Sequence, residues 1–444
     1  MGQFSRRKFI LTTGAAAAGS VLLNACGKSG NSDTPTTPGA SPSPAANMAP
    51  GDAPEVTKAK LGYIALTDSA PLIIAKEKGL FAKYGMTDVE VLKQASWPVT
   101  RDNIETGSTG GGIDGAHILS PMPYFMTMGM TKTKQPVPMY ILARLNTNGQ
   151  AISLSNTYKD AKVGLKGDGL KTAIAKAKSS GKKDMVVAIT YPGGTHDLWM
   201  RYWLAGNGVD PNKDVSVVPI PPPQMVANMK TGSMEAFCVG EPWNQRLINQ
   251  KVGYSALVTG ELWKDHPEKA FAMRSDWVDK NPKAAKALLM AVLEAQQWCD
   301  NPANQQEMCT IIAGPKWFDV KVEDILPRTQ GTIDYGDGRK VDKFPQAMKF
   351  WADNASYPYQ SHDLWFLTEN MRWGNIPTDF VKAKETIKKV NREDLWKAAA
   401  TALKVDAAQI PTSTSRGVET FFDGVKFDPA KPEEYLKSLK IKKA

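Results

Sequence analysis

The residues of this chain able to do chemistry are few, and the clearest stands at the start of a helix. Tyr191-Pro192-Gly193-Gly194-Thr195-His196 follows Met185 to Thr190, an apolar run that reads as a strand. Thr195 is placed to cap the next helix, which puts His196 in its first turn. Unpaired N–H groups and the helix dipole there favour an anion. Asp197 follows His196 and Glu241 follows Gly240, so a hydrolase using His196 with either acid is the enzymatic alternative. Against it, the chain has no nucleophile elbow, no HExxH and no convincing pair of carboxylates. Glu241 reads instead as an acid in a first helical turn. No cysteine pair has zinc spacing. The residues taken by themselves thus offer no catalytic constellation and call for no metal or cofactor.

Charge agrees with an anionic ligand. Lys plus Arg number 55 against 45 Asp plus Glu, a net +10. The basic residues are scattered, with no Arg-rich arm, which suits a small anion or an anionic surface and not nucleic acid. The 444 residues leave room for two or three domains. Hydrophobic residues at 42% exclude gross disorder, and no apolar run of about 18 residues after the first 25 excludes a polytopic membrane protein.

The N-terminus sets a compartment. Ser5-Arg6-Arg7-Lys8-Phe9-Ile10 precedes an Ala-rich apolar stretch and resembles a twin-arginine export signal over residues 1–25. Leu23-Asn24-Ala25-Cys26 resembles a lipoprotein processing box, which makes Cys26 the lipidated first mature residue. Residues 26–58, rich in Pro, Ser, Thr, Ala and Gly, read as a disordered tether. Together these describe a protein lipid-anchored on the periplasmic face of the cytoplasmic membrane. Of the other cysteines, Cys238 reads as buried. Cys299 and Cys309 are equally compatible with a bridge and with free thiols.

From Lys60 onward short apolar runs alternate with amphipathic stretches. Leu61–Ile64, a helix over 70–78 capped by Thr67 or Asp68, Val89–Leu92, a helix over 99–105 and Ile113–Leu119 make a βαβαβ order. That order predicts a parallel, doubly wound sheet. A second cycle runs from a strand at Lys162–Leu165, through a helix over 169–179, to a strand ending at Val258. After Trp263 comes one short strand, Ala270–Met273, and then helices at 282–299, 302–312, 346–354 and 379–403. Two α/β lobes follow: 59–155 plus 262–444 as the first lobe with C-terminal helices, and 156–261 as the second. Tyr357, Tyr359, Trp365 and Trp373 read as core aromatics.

Several stretches carry a resemblance. Ala70-Pro71-Leu72 followed by Lys78-Gly79-Leu80-Phe81-Ala82-Lys83-Tyr84-Gly85 is similar to the nitrate/sulfonate/bicarbonate group of ABC-importer solute-binding proteins. Tyr191 to Trp199, Phe237 to Asn244 and His266 to Ala270 resemble the cyanobacterial nitrate-binding lipoproteins of that family. The resemblance implies an α/β, two-lobed periplasmic-binding-protein-like clamp of type II, with an anion in the cleft. It implies capture of nitrate, and also nitrite, for an ABC transporter permease and ATPase complex. Carried over by motif, the anion contacts are Trp97, Gln150, His196, Gly240 and Lys269.

Nitrate has three acceptor oxygens and no proton, so its site should offer donors only. Lys269 supplies positive charge, Trp97 an indole N–H, Gln150 an amide, and Gly240 a closely approachable backbone N–H. No carboxylate belongs to the set, and Lys269→Glu is expected to abolish binding while leaving the fold intact. The bicarbonate-binding branch, the alternative reading, places an acid where Lys269 stands here. Taken alone, Lys269 reads as a solvated surface lysine and Trp97 as core.

Overall fold

The computed structural model describes residues 53–181 and 184–443. The export segment, Cys26 and the tether up to residue 52 lie outside them. Residues 53–58, the end of the expected tether, are described and docked. Glu55 accepts hydrogen bonds from the backbone N–H of Lys283 and Ala284 at 3.1 and 3.0 Å, placing an acid at a helix N-terminus.

Ten strands of five or six residues build two sheets: β1 (Lys58–Tyr63), β2 (Asp88–Lys93), β3 (Gly115–Leu119), β4 (Met139–Arg144), β5 (Gln150–Ser155), β6 (Met185–Ile189), β7 (Val215–Pro219), β8 (Ala236–Gly240), β9 (Gly253–Val258) and β10 (Lys269–Arg274). The helices that bear on the site are α1 (Ala70–Glu77), α2 (Trp97–Thr106), α3 (Thr195–Gly206), α4 (Trp243–Asn249), α5 (Pro282–Asp300) and α6 (Gln360–Arg372). The sheet orders are β2-β1-β3-β10-β4 and β7-β6-β8-β5-β9. The strands are rich in Val, Ile, Ala and Met because helices cover both faces.

The expected parallel pairing holds for β1 with β2 and β3, but each sheet is mixed. β10 runs antiparallel to β3 and β4, and β5 antiparallel to β8 and β9. Each of these strands enters its sheet directly from the other lobe, through 259–268 or 145–149. With no crossover helix to bring the chain back, it runs against its neighbours. β5 already belongs to the second sheet, so the first sheet ends with β4 and not at residue 155. The two crossings touch each other: Thr147 pairs antiparallel with Pro267.

Three further differences concern single elements. Lys162–Leu165 forms no strand. Gly164 turns its carbonyl to the Trp203 indole instead, at 3.2 Å. Residues 346–354 are not an α-helix, because Thr147 and Lys349 exchange backbone hydrogen bonds and hold the chain extended; the short turn Ala352–Asn354 that follows has left-handed backbone at Asp353 and Asn354. Helix α6 was not foreseen. It stacks Trp365 on Trp199 of α3 at 5.1 Å, so the C-terminal part touches the second lobe as well as the first. Tyr357, Tyr359, Trp365 and Trp373 are buried. Cys238, Cys299 and Cys309 are free and buried, so the optional bridge is not formed.

Candidate functional site

The C-terminal ends of strands meet between the two sheets, where such sheets form ligand crevices. β1 runs into the turn Thr67-Asp68-Ser69. β3 contributes His117 and β10 opens on Lys269. Helix α2 begins with Trp97, its first turn capped by Ser96, whose hydroxyl accepts from the Val99 N–H. From the second lobe come Gln150 at the start of β5, Gly240 directly opposite it at the end of β8, and His196 in the first turn of α3. The lobes meet at this point. Thr67 donates its N–H to Glu241 O at 2.7 Å, and the Trp243 indole donates to Ala65 O at 3.0 Å.

The side chains form one connected cluster, fully shielded from water. Gln150 Nε2 donates to Asp68 Oδ2 at 3.0 Å. His196 Nε2 lies 2.8 Å from Gln150 Oε1, and its Nδ1 is 2.5 Å from the Thr190 hydroxyl. Lys269 Nζ is 3.0 Å from Asp68 Oδ2 and 2.9 Å from Glu268 Oε1. It also lies 5.9 Å from the centre of the Trp97 ring. A Cβ on Gly240 would stand 2.6 Å from Gln150 Oε1 and 3.3 Å from Asp68 Oδ2, so this close approach requires glycine. Trp97 Nε1 is a buried donor with no hydrogen-bond partner.

Protonation follows from these contacts. The Gln150 amide is oriented by Asp68, so its oxygen faces His196 and Nε2 of that ring carries the hydrogen. Burial and the neighbouring ammonium of Lys269 hold His196 neutral, well below its usual range. Lys269, 3.4 Å from the same nitrogen, is thus a second donor beside it and not its acceptor. Burial opposes the Lys269 charge, but Asp68 and Glu268 override it and raise its pKa. Burial likewise opposes ionisation of Asp68, yet Lys269 and His117 keep it ionised, well below the usual carboxylate range. Burial pushes Glu268 up.

The five residues named from the sequence therefore come together, but two expectations fail. The pocket is not donors only: Asp68 and Glu268 flank Lys269. A fully buried ammonium stays charged only with counter-charges beside it, and these carboxylates supply them. Nor does Thr195 cap α3. Its hydroxyl donates to Glu268 Oε1 at 2.6 Å, and Gly194 holds the N-cap position without a side-chain cap; the Asp197 carboxylate accepts the Gly193 N–H just before it at 2.7 Å. Glu241 is buried against Arg328 at 2.6 Å and accepts the Gln245 N–H of α4, so it is no catalytic acid here.

Sequence reasoning missed Asp68, His117 and Glu268. Asp68 precedes α1 and reads as a cap, yet its carboxylate caps nothing and takes the His117 Nε2 hydrogen bond at 2.6 Å. The usable signal was position: an acid just past the first strand of an α/β lobe stands at the crevice.

The cleft has a mouth of about 580 Å³, lined by Pro98, Arg101 and Lys132 on one side and Tyr191 and Pro219 on the other. Arg101 Nη1 donates to the Tyr191 hydroxyl across it at 3.3 Å.

A model of the NMT1-like family matches residues 52–313. The chain is 64% identical over 447 residues to the nitrate/nitrite binding protein NrtA of Nostoc sp., covering all of both chains. It is 44% identical to the bicarbonate-binding protein CmpA of Synechococcus sp., over 99% of this chain and 98% of that one. Among solved structures, the periplasmic nitrate-binding protein NrtA from Synechocystis superimposes with a TM-score of 0.85 at 63% identity, covering 88% of this chain and 100% of the other.

Proposed function

The chain belongs to the NMT1-like family, and from that membership and the buried donor cluster we propose that it is the solute-binding component of an ABC importer. It captures nitrate, and with it nitrite, outside the cytoplasmic membrane and hands the anion to a permease and ATPase complex. The observation that carries this reading is Trp97 Nε1: an unpartnered, buried indole donor on the same cluster as the Lys269 ammonium. A planar anion with three acceptor oxygens suits Trp97, Lys269 and the backbone at Gly240, with the His196 Nε2 hydrogen shared between the anion and Gln150 Oε1.

The carboxylates do not argue for bicarbonate. Asp68 oxygens accept from His117, Gln150 and Lys269, and Glu268 oxygens from Thr195, Lys269 and the Trp199 indole. Their acceptor capacity is taken up inside the protein, and little is offered to a ligand hydroxyl. Greater likeness to nitrate/nitrite binding relatives than to bicarbonate-binding ones supports the same choice.

Closure brings Gln150, His196 and Gly240 of one lobe against Asp68, Trp97 and Lys269 of the other, and the closed form docks on the permease. The Arg-Arg pair and the Cys26 box support export and lipid anchoring, which hold the clamp at the periplasmic face of the inner membrane. No helix among the described residues is long and apolar enough to cross a membrane. Calorimetric titration with nitrate, nitrite and bicarbonate tests the assignment. Saturable heat with nitrate and none with bicarbonate is expected; tight bicarbonate binding without nitrate heat overturns it.

A further inference from the structure

The charges around Lys269 do not balance an incoming anion. Asp68, Glu268 and Lys269 are all completely buried. With both carboxylates ionised and the histidines neutral, two negative groups face one ammonium. Nitrate adds a further negative charge where water is excluded, and the ammonium already serves both carboxylates, at 3.0 and 2.9 Å. An uncompensated buried charge of this kind is strongly disfavoured.

The two carboxylates differ in what surrounds them. Asp68 faces the Gln150 amide and the Lys269 ammonium, donors that cannot reverse, together with the His117 ring. Glu268 faces the Thr195 hydroxyl at 2.6 Å. A hydroxyl donates to a carboxylate and accepts from a carboxylic acid, so a proton on Glu268 Oε1 turns the Thr195 hydrogen bond round. Lys269 Nζ donates to that same oxygen at 2.9 Å, and the hydroxyl oxygen of the acid keeps a lone pair for it. The competing proton acceptor, His117 Nδ1, is buried without a partner, so a hydrogen placed there would be unsatisfied.

Resting on the nitrate-binding reading above, we propose that the anion and one proton bind together, the proton residing on the Glu268 carboxyl. Glu268 is then a specificity-determining residue. Its proton holds the pocket's net charge at the ligand-free value when a monoanion enters, without giving up the counter-ions that keep Lys269 in place.

The charged and titratable groups facing Glu268 come from every element packed against it. On its own element stands Lys269, whose pKa is raised. From the turn after β1 comes Asp68, held low, with His117 of β3 behind it, lowered chiefly by burial. Helix α3 presents Thr195, Trp199 and the neutral His196, 3.4 Å from Glu268. β8 presents the Cys238 thiol, pushed up by burial. His266, on the crossover, is pushed down to about 3 by burial.

Nitrate is titrated into the mature protein by calorimetry between about pH 6 and pH 9.5, in buffers of different ionisation heat. Once the free protein has lost the Glu268 proton, the nitrate Kd is expected to rise about tenfold per pH unit, with close to one proton taken up per anion. Glu268→Gln, neutral at every pH, is expected to bind with a flat pH profile and no proton uptake. A flat profile without uptake in the wild type overturns the proposal and leaves the nitrate reading standing. Uptake that persists in Glu268→Gln places the proton elsewhere and also overturns it. Absence of nitrate binding at every pH overturns the functional reading and this inference with it. If Glu268→Gln does not fold, infrared difference spectra of the wild type decide. Nitrate added at alkaline pH should create a carboxylic-acid C=O band, and its absence rejects the proposal.

Discussion

Gln150 donates its side-chain amide to Asp68 across the interlobe cleft at 3.0 Å. One end of that amide therefore reads the first lobe, and the other orients His196 of the second at 2.8 Å. The amide thus links the two lobes and fixes the orientation of the imidazole. Its geometry depends on the absence of a side chain at residue 240, directly opposite in the sheet.

Gly240→Ala tests that dependence. The new Cβ would meet Gln150 Oε1 at 2.6 Å and push the amide off both partners. Nitrate affinity should fall at least tenfold, about 1.4 kcal/mol, while the thermal midpoint moves little. Calorimetry and thermal melts measure the two effects separately. Unchanged affinity would mean that the amide does not orient the site.

Lys269 carries a structural load that its sequence context conceals. Replacing it with Met leaves Asp68 and Glu268 facing each other without a cation. The loss should be roughly 3–5 kcal/mol at pH 7, the scale for breaking a buried pair. The earlier expectation that Lys269→Glu leaves the fold intact is replaced by the opposite one, because a third carboxylate joins the cluster. Denaturant unfolding checks both variants. The cost for Lys269→Met should shrink toward acid pH, where burial makes Glu268 easy to protonate.

The mouth of the cleft offers a kinetic prediction. Arg101 lies one helical turn after Trp97, and Tyr191 one residue after Thr190, the partner of His196. Their hydrogen bond joins the lobes just outside the pocket. Tyr191→Phe removes it at a cost of about 0.5–1.5 kcal/mol. Stopped-flow measurements should show nitrate release accelerated about 2- to 12-fold, with an unchanged association rate. A slowed association with unchanged release would instead make the pair part of the entry path.

The crossover that delivers Lys269 is braced by Glu419. This carboxylate accepts from the Trp263 indole at 2.8 Å and pairs with Arg416 at 2.6 Å; Arg416 in turn donates to Asp265 O. Burial would raise its pKa, but His362 and Arg416 override burial and hold it at about 2, below the usual 4.5. A depressed carboxylate stabilises the fold above its unfolded pKa, and that contribution fades as pH falls from 4.5 toward 2. Glu419→Gln should therefore cost up to about 3 kcal/mol at pH 7, with the gap closing through that window. A gap independent of pH would show that shape and not charge matters there.

The order of strands and helices in both lobes was legible because each strand is an apolar run and most helices show one apolar stripe. Helix α6 was not, for a physical reason: 12 of its 13 residues are buried, and these include His362, Asp363, Thr368, Glu369 and Asn370. A helix with polar groups inside shows no stripe. The antiparallel β5 and β10 were hidden because strand direction is set by where the chain comes from, which composition does not record. At the site, motif context around His196, Gly240 and Lys269 drew attention to those positions. Glu268 was invisible for the opposite reason. An acid beside a lysine reads as an exposed pair, whereas both side chains here are fully buried.

The most direct measurement is a crystal structure of the protein grown with nitrate. A planar trigonal anion is predicted within hydrogen-bond distance of Trp97 Nε1, Lys269 Nζ and His196 Nε2, against the backbone of Gly240. An anion bound elsewhere, or one facing an Asp68 or Glu268 oxygen with no ammonium beside it, would contradict the account.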